Sequence, residues 1–317
     1  MKELSKLLRK VIALQKQEEI IPKGSSVLVA LSGGVDSVVL THAMLELKNF
    51  FRVERLALAH FNHMLREEAE EEEEFCRRMA QELGLEIFVG RERVREVAQR
   101  EGKNLEETAR ELRYSFLREV RRREGFDLIA TAHHLNDLVE TALIWLVRGA
   151  GLEGFLGFEP REGEIVRPLY RATREEILAF AKAKGLKWVE DPSNRDPSFF
   201  RNRIRLEIIP IFKEVNPNLE ETFLRTREIL KAEDDLLKRM AEKLYESLKD
   251  NGCIRVAPLQ KEHLALQRRV ILRLTGGVSF SKVEQIRRLL SKGGEIDLGG
   301  GLRVVRKGRL LCLKKNG

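Results

Sequence analysis

Short apolar runs alternate with helix-like segments along the first two thirds of the chain. Four runs have the length and composition of buried strands: Val27–Leu31, Val53–His60, Leu85–Val89 and Asp127–Thr131. Around them, apolar residues recur at spacings of three and four, which predicts helices over residues 3–19, 38–45, 75–83, 104–120 and 173–184. Strands that alternate with helices are typical of an α/β fold with a parallel sheet and helices on both faces.

Three further segments complete this predicted body, which we place at residues 1–216. Ile165–Leu169 has the pattern of an edge strand, whereas Arg148–Gly157 is so rich in glycine that we predict a loop with no regular element. A turn-rich loop is expected at Asp191–Pro197, and a helix is predicted from Phe200 to near Pro210.

The remaining residues, 217–317, have a different pattern and form a second predicted region. A long, strongly charged helical pattern covers residues 218–250 and predicts a connecting helix. It is followed by helical patterns at 258–274 and 281–292, a short strand at 296–298, and a hairpin whose strands are 302–305 and 309–313. Residues 251–317 are therefore predicted to form a small α+β domain.

Composition agrees with two folded domains and indicates the compartment. The chain has 317 residues, of which 43% are hydrophobic, so each domain can bury a core. The first residues alternate charge with apolar side chains, unlike a signal peptide, and no uninterrupted apolar stretch could span a bilayer. We therefore expect a cytoplasmic protein that does not contact a membrane.

The net charge of +8 is unevenly distributed along the sequence. Residues 217–317 contain 22 Lys and Arg against 13 Asp and Glu, whereas residues 1–216 contain 36 against 37. A basic region attached to a nearly neutral body indicates a polyanionic partner, of which nucleic acid is the simplest.

The three cysteines, Cys76, Cys253 and Cys312, lie far apart in the sequence, with no Cys-x-x-Cys pair. This spacing indicates neither a zinc site nor a disulfide framework. We expect all three to be small buried apolar residues.

A glycine turn connects the first predicted strand to the helix that follows it. Glycines let such a turn aim successive N–H groups inward, and the following helix adds its positive end, so the segment is suited to bind phosphate. A carboxylate in this position would repel phosphate unless a magnesium ion lay between them, so Asp36 is a candidate magnesium ligand. No Gly-Lys-Ser/Thr follows, and the segment resembles the pyrophosphate loop of the N-type ATP pyrophosphatases. Its residues are Ser32, Gly33, Gly34, Val35, Asp36 and Ser37.

A second polar cluster follows the fourth predicted strand. Spacings of three and four residues separate His133, Asp137, Glu140 and Thr141. At least three of these side chains can therefore lie on one face of a helix. Ligands of parallel sheets bind beyond the carboxyl ends of the strands, where both this cluster and the glycine turn lie. Two arginines, Arg110 and Arg113, are three residues apart on the preceding helix and can point the same way.

Taken together, the motifs resemble those of the tRNA(Ile)-lysidine synthetase family over roughly the first 210 residues. Besides the phosphate loop, the matching stretches are Ala109-Arg110 with Arg113-Tyr114, Ala132-His133-His134 with Asp137 and Glu140-Thr141, Arg148-Gly149 with Gly151-Leu152, Arg167-Pro168-Leu169, Asp191-Pro192-Ser193-Asn194, and Arg201-Asn202 with Arg205 and Ile208-Ile209-Pro210. The last hundred residues resemble the tRNA-binding part of the family less distinctly and are short for it.

The resemblance implies an ATP-dependent ligase. ATP would adenylate the carbonyl oxygen at carbon 2 of the wobble cytidine in a tRNA(Ile) with a CAU anticodon, and the amine of free lysine would then displace AMP to give lysidine. Codon recognition would change from AUG to AUA. A homodimer is expected only because twofold dimers are the commonest oligomers.

Residue roles follow from the same resemblance. The loop amides and Ser37 would bind pyrophosphate, Asp36 would hold magnesium with ATP, and Arg113 and Arg205 would balance phosphate or transition-state charge. The lysine and cytidine side would consist of His133, Asp137 and Glu140, and the further substrate-binding candidates are Arg110, Asn194 and Arg205.

Three alternatives remain open from the sequence. A tRNA thiolation enzyme of the same superfamily shares the loop and the adenylation, but sulfur transfer generally needs a catalytic cysteine or a cluster-binding set, and the scattered cysteines offer none that is obvious. A small-molecule amidotransferase-type synthetase would not need a basic tail. A non-enzymatic RNA-binding protein is disfavoured because the loop, carboxylates and arginines are all present.

Overall fold

The computed structural model describes residues 5–65, 69–149, 151–190 and 196–315. The chain divides into two compact units, Met1–Leu224 and Arg225–Gly317. Within the described ranges, none of the helices combines the length and the apolar character needed to cross a membrane.

The first unit contains a six-stranded sheet surrounded by helices. Its strands are β1 (Val27–Ala30), β2 (Leu56–Asn62), β3 (Ile87–Arg91), β4 (Leu128–Ala130), β5 (Arg161–Glu162) and β6 (Ile165–Val166). Its helices are α1 (Lys6–Glu18), α2 (Val35–Glu46), α3 (Lys48–Phe51), α4 (Ala69–Glu82), α5 (Val94–Glu101), α6 (Leu105–Arg123), α7 (Leu135–Val147), α8 (Leu152–Leu156), α9 (Arg174–Ala183), α10 (Phe200–Arg203) and α11 (Ile209–Val215). The long helix α12 (Leu219–Leu248) begins in this unit and ends in the second.

The strand order is β3-β2-β1-β4-β6-β5. All neighbouring pairs are parallel except β5 and β6, so the predicted parallel sheet is confirmed. On one side of β1 lie β2 and then β3, and β4 lies on the other side of β1, so the order of the strands reverses at β1. Parallel sheets bind ligands at such a reversal, beyond the carboxyl ends of the two strands. The loops after β1 and β4 both begin there.

Helices cover both faces of the sheet, as predicted. Successive side chains of β1 point to opposite faces of the sheet. Val27 and Val29 therefore pack in one apolar cluster, and Leu28 packs in another. The first cluster includes buried residues of α1, α2 and α9, and the second includes Leu117 and Val120 of α6. The sheet is therefore buried on both sides, and its functional groups are confined to its edges and ends.

Two local predictions are wrong. The segment Arg148–Gly157 does contain an element, α8: Gly151 lies at its N-cap, Gly154 lies within the helix, and Gly157 ends it with a φ of 68°. The helix predicted to end near Pro210 continues to Val215, through a π-helical turn at Ile204–Ile208. Pro210 lies at the start of α11, directly after the π-helical turn.

The second unit is a small α+β domain, as predicted. Its described elements after α12 are β7 (Lys249–Asp250), β8 (Cys253–Arg255), α13 (Val256–Lys261), α14 (Leu264–Thr275), α15 (Phe280–Lys292), β9 (Gly294–Gly299), β10 (Leu302–Lys307) and β11 (Leu310–Lys315). The strands form an antiparallel sheet in the order β7-β8-β11-β10-β9. The helix predicted over residues 258–274 is divided into α13 and α14, and the His263 side chain caps the second.

The expectation for the cysteines is confirmed for one residue and wrong for two. Cys76 is fully buried in the first unit. Cys253 and Cys312 lie directly opposite each other on β8 and β11 and form a disulfide. The sequence could not show this pair because it depends on the register of two strands that are 59 residues apart.

Candidate active site

The glycine turn after β1 folds back onto the first turn of α2. The Ser32 N–H donates a hydrogen bond to Ser37 Oγ (3.1 Å), which in turn donates to the carbonyl oxygen of Gly34 (2.9 Å). Gly33 has a φ of 88°, which favours glycine, and a Cβ there would lie 3.5 Å from the Cys76 sulfur. The first N–H groups of α2 have no partner within the helix, so the turn and the helix present donors to an anion.

Asp36 lies in the first turn of α2 and contacts groups from two other elements. Its Oδ2 is 3.2 Å from Nη1 of Arg174, at the start of α9, and its Oδ1 is 3.8 Å from Nε2 of His134. Oδ1 is buried and accepts no hydrogen bond. An orphaned carboxylate oxygen beside a phosphate loop fits a magnesium ion. No group of three His, Cys, Asp or Glu among the described residues could hold a metal.

The loop after β4 contributes two histidines with different surroundings. His133 is half-buried, and its Nδ1 is 2.9 Å from the Thr131 hydroxyl. Burial lowers the pKa of His133 to about 3, so its ring is neutral at pH 7. A neutral imidazole can donate or accept a hydrogen bond without adding charge to the site.

His134 connects the two sides of the site. Its side chain is only 1% exposed, and its Nε2 lies 3.6 Å from Asp137 Oδ2 as well as 3.8 Å from Asp36 Oδ1. The backbone N–H of His134 donates to Asp137 Oδ2 (3.0 Å) at the start of α7. The phosphate loop and the first turn of α7 therefore meet at one imidazole.

Two arginines from the segment after Phe200 are fixed by one buried carboxylate. Glu140, with a side chain 1% exposed, accepts hydrogen bonds from Nε of Arg201 (2.8 Å) and from Nε and Nη2 of Arg205 (2.7 and 3.0 Å). Asp137 Oδ1 is 3.8 Å from Arg201 and 3.6 Å from Arg205. Burial alone would raise the pKa of Asp137, but the two adjacent histidines and Arg201 outweigh it and lower that pKa below its ordinary value.

Next to this cluster is a cavity of about 290 Å³. Four of the predicted site residues line it, together with four to which the sequence analysis gave no role. The eight are Arg110, Arg113, His133, Asp137, His63, Glu106, Ala109 and Arg201. Burial and the neighbouring arginines lower the pKa of Arg113, which forms no ion pair with a described carboxylate. Its positive charge is available to a ligand.

Two family models and several curated relatives match the chain. The chain matches the family model for a PP-loop domain over residues 4–212 and the model for a TilS-like substrate binding domain over residues 248–313. It is 37% identical to the tRNA(Ile)-lysidine synthase of Persephonella marina over 90% of this chain and 64% of the relative, and 32% identical to that of Caldanaerobacter subterraneus over 98% and 69%. The chain belongs to the tRNA(Ile)-lysidine synthase family. It spans about two thirds of the length of these curated relatives.

A solved structure outside the lysidine synthase family has a related fold. The U34-tRNA thiolase NcsA from Methanococcus maripaludis, with its 4Fe-4S cluster, matches with a TM-score of 0.56 over 71% of this chain and 78% of that one. At 18% identity this likeness shows the fold alone.

The structure brings most predicted site residues together and adds others. Asp36 and Asp137 lie beside His134, and Glu140 binds Arg201 and Arg205, whereas Asn194 is outside the described residues. The sequence analysis of this lysidine synthase family member gave no role to Arg174, His134, Arg201 and Glu106. His134 and Arg201 stood in stretches that carry the family resemblance but received no role. Arg174 had a local signal, since an arginine in the first turn of a helix opposes the helix dipole and needs a partner such as Asp36.

Proposed function

We propose that the protein is an ATP-dependent tRNA(Ile)-lysidine synthetase. In this reaction ATP adenylates the carbonyl oxygen at carbon 2 of the wobble cytidine in tRNA(Ile) with a CAU anticodon, and pyrophosphate leaves. The amine of free lysine then attacks carbon 2 and displaces AMP. The product pairs with A instead of G, which changes codon recognition from AUG to AUA.

The observation that carries the proposal is the meeting of two sites at His134. Its Nε2 approaches Asp36 of the phosphate loop and Asp137 of the cavity wall at 3.8 and 3.6 Å. Adenylation followed by amine attack requires the nucleotide and the acceptor to react at the same carbon atom, so their sites must be contiguous. The relatives' activity supports the same conclusion.

On the nucleotide side, the chain's own groups would balance phosphate charge. The loop N–H groups and the Ser32 and Ser37 hydroxyls would bind the pyrophosphate, and Asp36 would hold magnesium with ATP. Bound magnesium would supply additional positive charge on the phosphates. Arg113, with no carboxylate partner, is suited to the charge that develops as pyrophosphate leaves.

On the acceptor side, we assign different roles to the two acidic residues of α7. Glu140 is buried and bound to two guanidinium groups, so it would act as a positioning residue that orients Arg201 and Arg205. Asp137 reaches the cavity and would orient the lysine amine beside the neutral His133. The amine must be deprotonated when it attacks.

The second unit would contribute to tRNA binding. It corresponds to the TilS-like substrate binding domain, and most of the basic excess of the sequence lies in residues 217–317. Phosphate contacts by such a region add affinity that is largely independent of base sequence. A cytoplasmic location and a homodimer stay predictions.

A tRNA thiolation activity is the alternative from the sequence, and the cysteines argue against it. Burial raises the pKa of the Cys76 thiol to about 12, so this residue is not a nucleophile near neutral pH. Cys253 and Cys312 are bonded to each other. None of the three cysteines of this chain offers an available thiolate.

The deciding experiment incubates the protein with ATP, magnesium, radiolabelled lysine and an unmodified tRNA(Ile) transcript. A matched transcript carries uridine in place of the wobble cytidine. We expect label in the cytidine transcript only, with one AMP and one pyrophosphate released for each lysine. ATP cleavage to AMP without label in either transcript would retain the adenylation chemistry and reject lysine as the acceptor.

A further inference from the structure

Three helices of the first unit meet at the side chain of Asn136, which the reaction described above does not use. Asn136 lies in the first turn of α7, directly before Asp137, and is 8% exposed. Its amide oxygen accepts a hydrogen bond from the backbone N–H of Arg174 at the start of α9 (2.8 Å), and its amide nitrogen donates to Glu220 Oε1 at the start of α12 (2.6 Å). Because a backbone N–H can only donate and a carboxylate can only accept, these two partners fix the orientation of the amide.

The contacts return to α9 through a lysine and close a ring. Nζ of Lys213, on α11, lies 2.7 Å from the same oxygen of Glu220 and 2.7 Å from Glu175 Oε1, and Glu175 directly follows Arg174. We call Asn136, Arg174, Glu175, Lys213 and Glu220 the polar ring. Glu220 is 3% exposed, so its carboxylate depends on these partners rather than on water. A buried polar network of this kind is rigid when complete and costly when one partner is lost.

The polar ring adjoins both sides of the candidate active site. The residue after Asn136 is Asp137, which lines the cavity, and the side chain of Arg174 contacts Asp36 of the phosphate loop at 3.2 Å. The hydrogen bond between Arg174 and Asn136 therefore joins the helix start on the nucleotide side to the helix start on the acceptor side. Glu220 holds the amide that makes this bond.

Resting on the proposed function, we propose that Asn136 and Glu220 are positioning residues for lysidine formation. They act through Asp137 and Arg174, because they hold the first turns of α7 and α9 in register around ligands that react at one carbon atom. Apolar residues of similar volume often stabilise a fold as well as a buried ion pair does. Orientation of the reacting groups is therefore a better explanation of the polar ring than stability.

The hydrogen bond between Asn136 and Glu220 can be reversed, and this reversal is the central test. Asn136→Asp keeps an acceptor for the N–H of Arg174 but places two carboxylates in contact. Addition of Glu220→Gln restores a donor, so that the bond forms in the opposite direction with the same net charge in the polar ring. A double-mutant cycle measures the coupling between the two substitutions.

A second pair of variants separates positioning from simple anchoring of α12. Glu220 and Glu221 are neighbours in the first turn of this helix, but Glu221 pairs with Lys10 of α1, at 3.1 Å. Glu220→Ala and Glu221→Ala each remove one carboxylate that ties α12 to the first unit. Only the first of them removes a partner of Asn136.

The assay is lysine incorporation into tRNA(Ile), with the KM values for ATP and tRNA and with the Tm from circular dichroism. The kcat is expressed per ATP-binding site, counted by equilibrium dialysis at a temperature at which each variant is folded. Loss of folded protein then does not count as a loss of rate, which a merely structural role would otherwise produce.

We expect Asn136→Asp to lower kcat about a hundredfold, because small misplacements of reacting groups have effects of this size, and to change the KM values by less than about threefold. The double variant should recover most of that loss. Glu220→Ala should lower kcat about tenfold, the effect of one lost hydrogen bond, and Glu221→Ala should leave kcat unchanged.

A kcat per site that does not change in Asn136→Asp, or a double variant no faster than the single one, would overturn the proposal. Equal losses in the Glu220 and Glu221 variants would also overturn it, since α12 would then need only to be anchored. If Asn136→Asp does not fold, the two alanine variants decide the question. Failure of the proposed function is a different result, because the unaltered protein would then incorporate no lysine into tRNA(Ile).

Discussion

The disulfide between Cys253 and Cys312 predicts a large stability difference between oxidised and reduced protein. It joins β8 to β11, two strands that are adjacent in the sheet of the second unit and far apart in its sequence. The perturbation is the double variant Cys253→Ser/Cys312→Ser, or reduction of the unaltered protein. Both remove the cross-link and leave the first unit untouched.

The magnitude follows from the length of chain that the bond closes. The two cysteines are 59 residues apart in sequence. In the chain-entropy description, a cross-link over this separation stabilises the folded state by about 4 kcal/mol at 25 °C, mainly by restricting the unfolded chain. For a domain of roughly 60 to 100 residues, each kcal/mol shifts the Tm by about 4 to 8 °C, so the loss should lower the Tm of the second unit by about 15 to 30 °C.

The sequence supplies an internal control for the assay. Both tryptophans, Trp145 and Trp188, belong to the first unit, so tryptophan fluorescence follows that unit alone. Far-ultraviolet circular dichroism follows both units. Removal of the bond should lower the Tm of the dichroism transition that belongs to the second unit and leave the Tm of the fluorescence transition unchanged. Reductant should have no further effect on the Tm of the double variant.

Thiol counting under denaturing conditions tests the premise. Oxidised protein should titrate a single thiol, that of Cys76, and reduced protein should titrate three. Three thiols in the purified protein, or a dichroism transition that does not move when the bond is removed, would refute the reasoning.

Three other perturbations and one deletion test the remaining interpretations. Arg113→Gln should lower lysine incorporation by about a hundredfold or more while tRNA affinity stays nearly unchanged, and equal losses would reject its role in charge balance. Glu140→Gln leaves two guanidinium groups without their shared carboxylate, so it should lower the free energy of unfolding by about 3 kcal/mol and reduce kcat; unchanged kinetics would argue against the positioning role. The Arg91 guanidinium beside Glu73 holds the pKa of that carboxyl at about 2, below its ordinary 4.5, so its stabilisation is present above pH 4.5 and is lost as the pH falls toward 2. Urea unfolding across that range should show that the free energy of unfolding depends less on pH in Glu73→Gln than in the unaltered protein. Deletion after Leu224 should flatten the salt dependence of tRNA binding, which has a slope of about −0.7 to −0.9 per phosphate contact, and an unchanged slope would place the contacts on the first unit.

Periodicity predicted the first unit well because its elements are specified locally. The apolar runs at Val27 and Asp127 became β1 and β4, and the helix predicted from Asn104 became α6 with Asn104 as its N-cap. The rule that ligands bind at the carboxyl ends of parallel strands then placed the glycine turn and the His133 segment at one edge. The meeting of Asp36 and Asp137 at His134 is the geometric counterpart of that prediction.

The failures have a common physical cause, which is pairing between residues distant in sequence. Glycine content suggested a loop at Arg148–Gly157, but flanking glycines and the packing of Phe155 against Phe223 form α8. Cysteine spacing could not show a bond that depends on strand register. The local sequence pattern determines which face of a helix or strand is apolar. Which residues from distant parts of the chain pack against that face depends on the tertiary fold.

Contacts between residues distant in sequence also separate the roles of the two acidic residues of α7, Asp137 and Glu140. Spacing on α7 made Asp137 and Glu140 equivalent candidates for a cationic substrate. Folding brings Arg201 and Arg205, more than sixty residues further along the chain, to Glu140 and leaves that carboxylate 1% exposed. A carboxylate whose oxygens already accept three hydrogen bonds from arginine has little capacity to bind an ammonium group. Asp137, which lines the cavity, is therefore the acidic residue of α7 that is better suited to a cationic substrate.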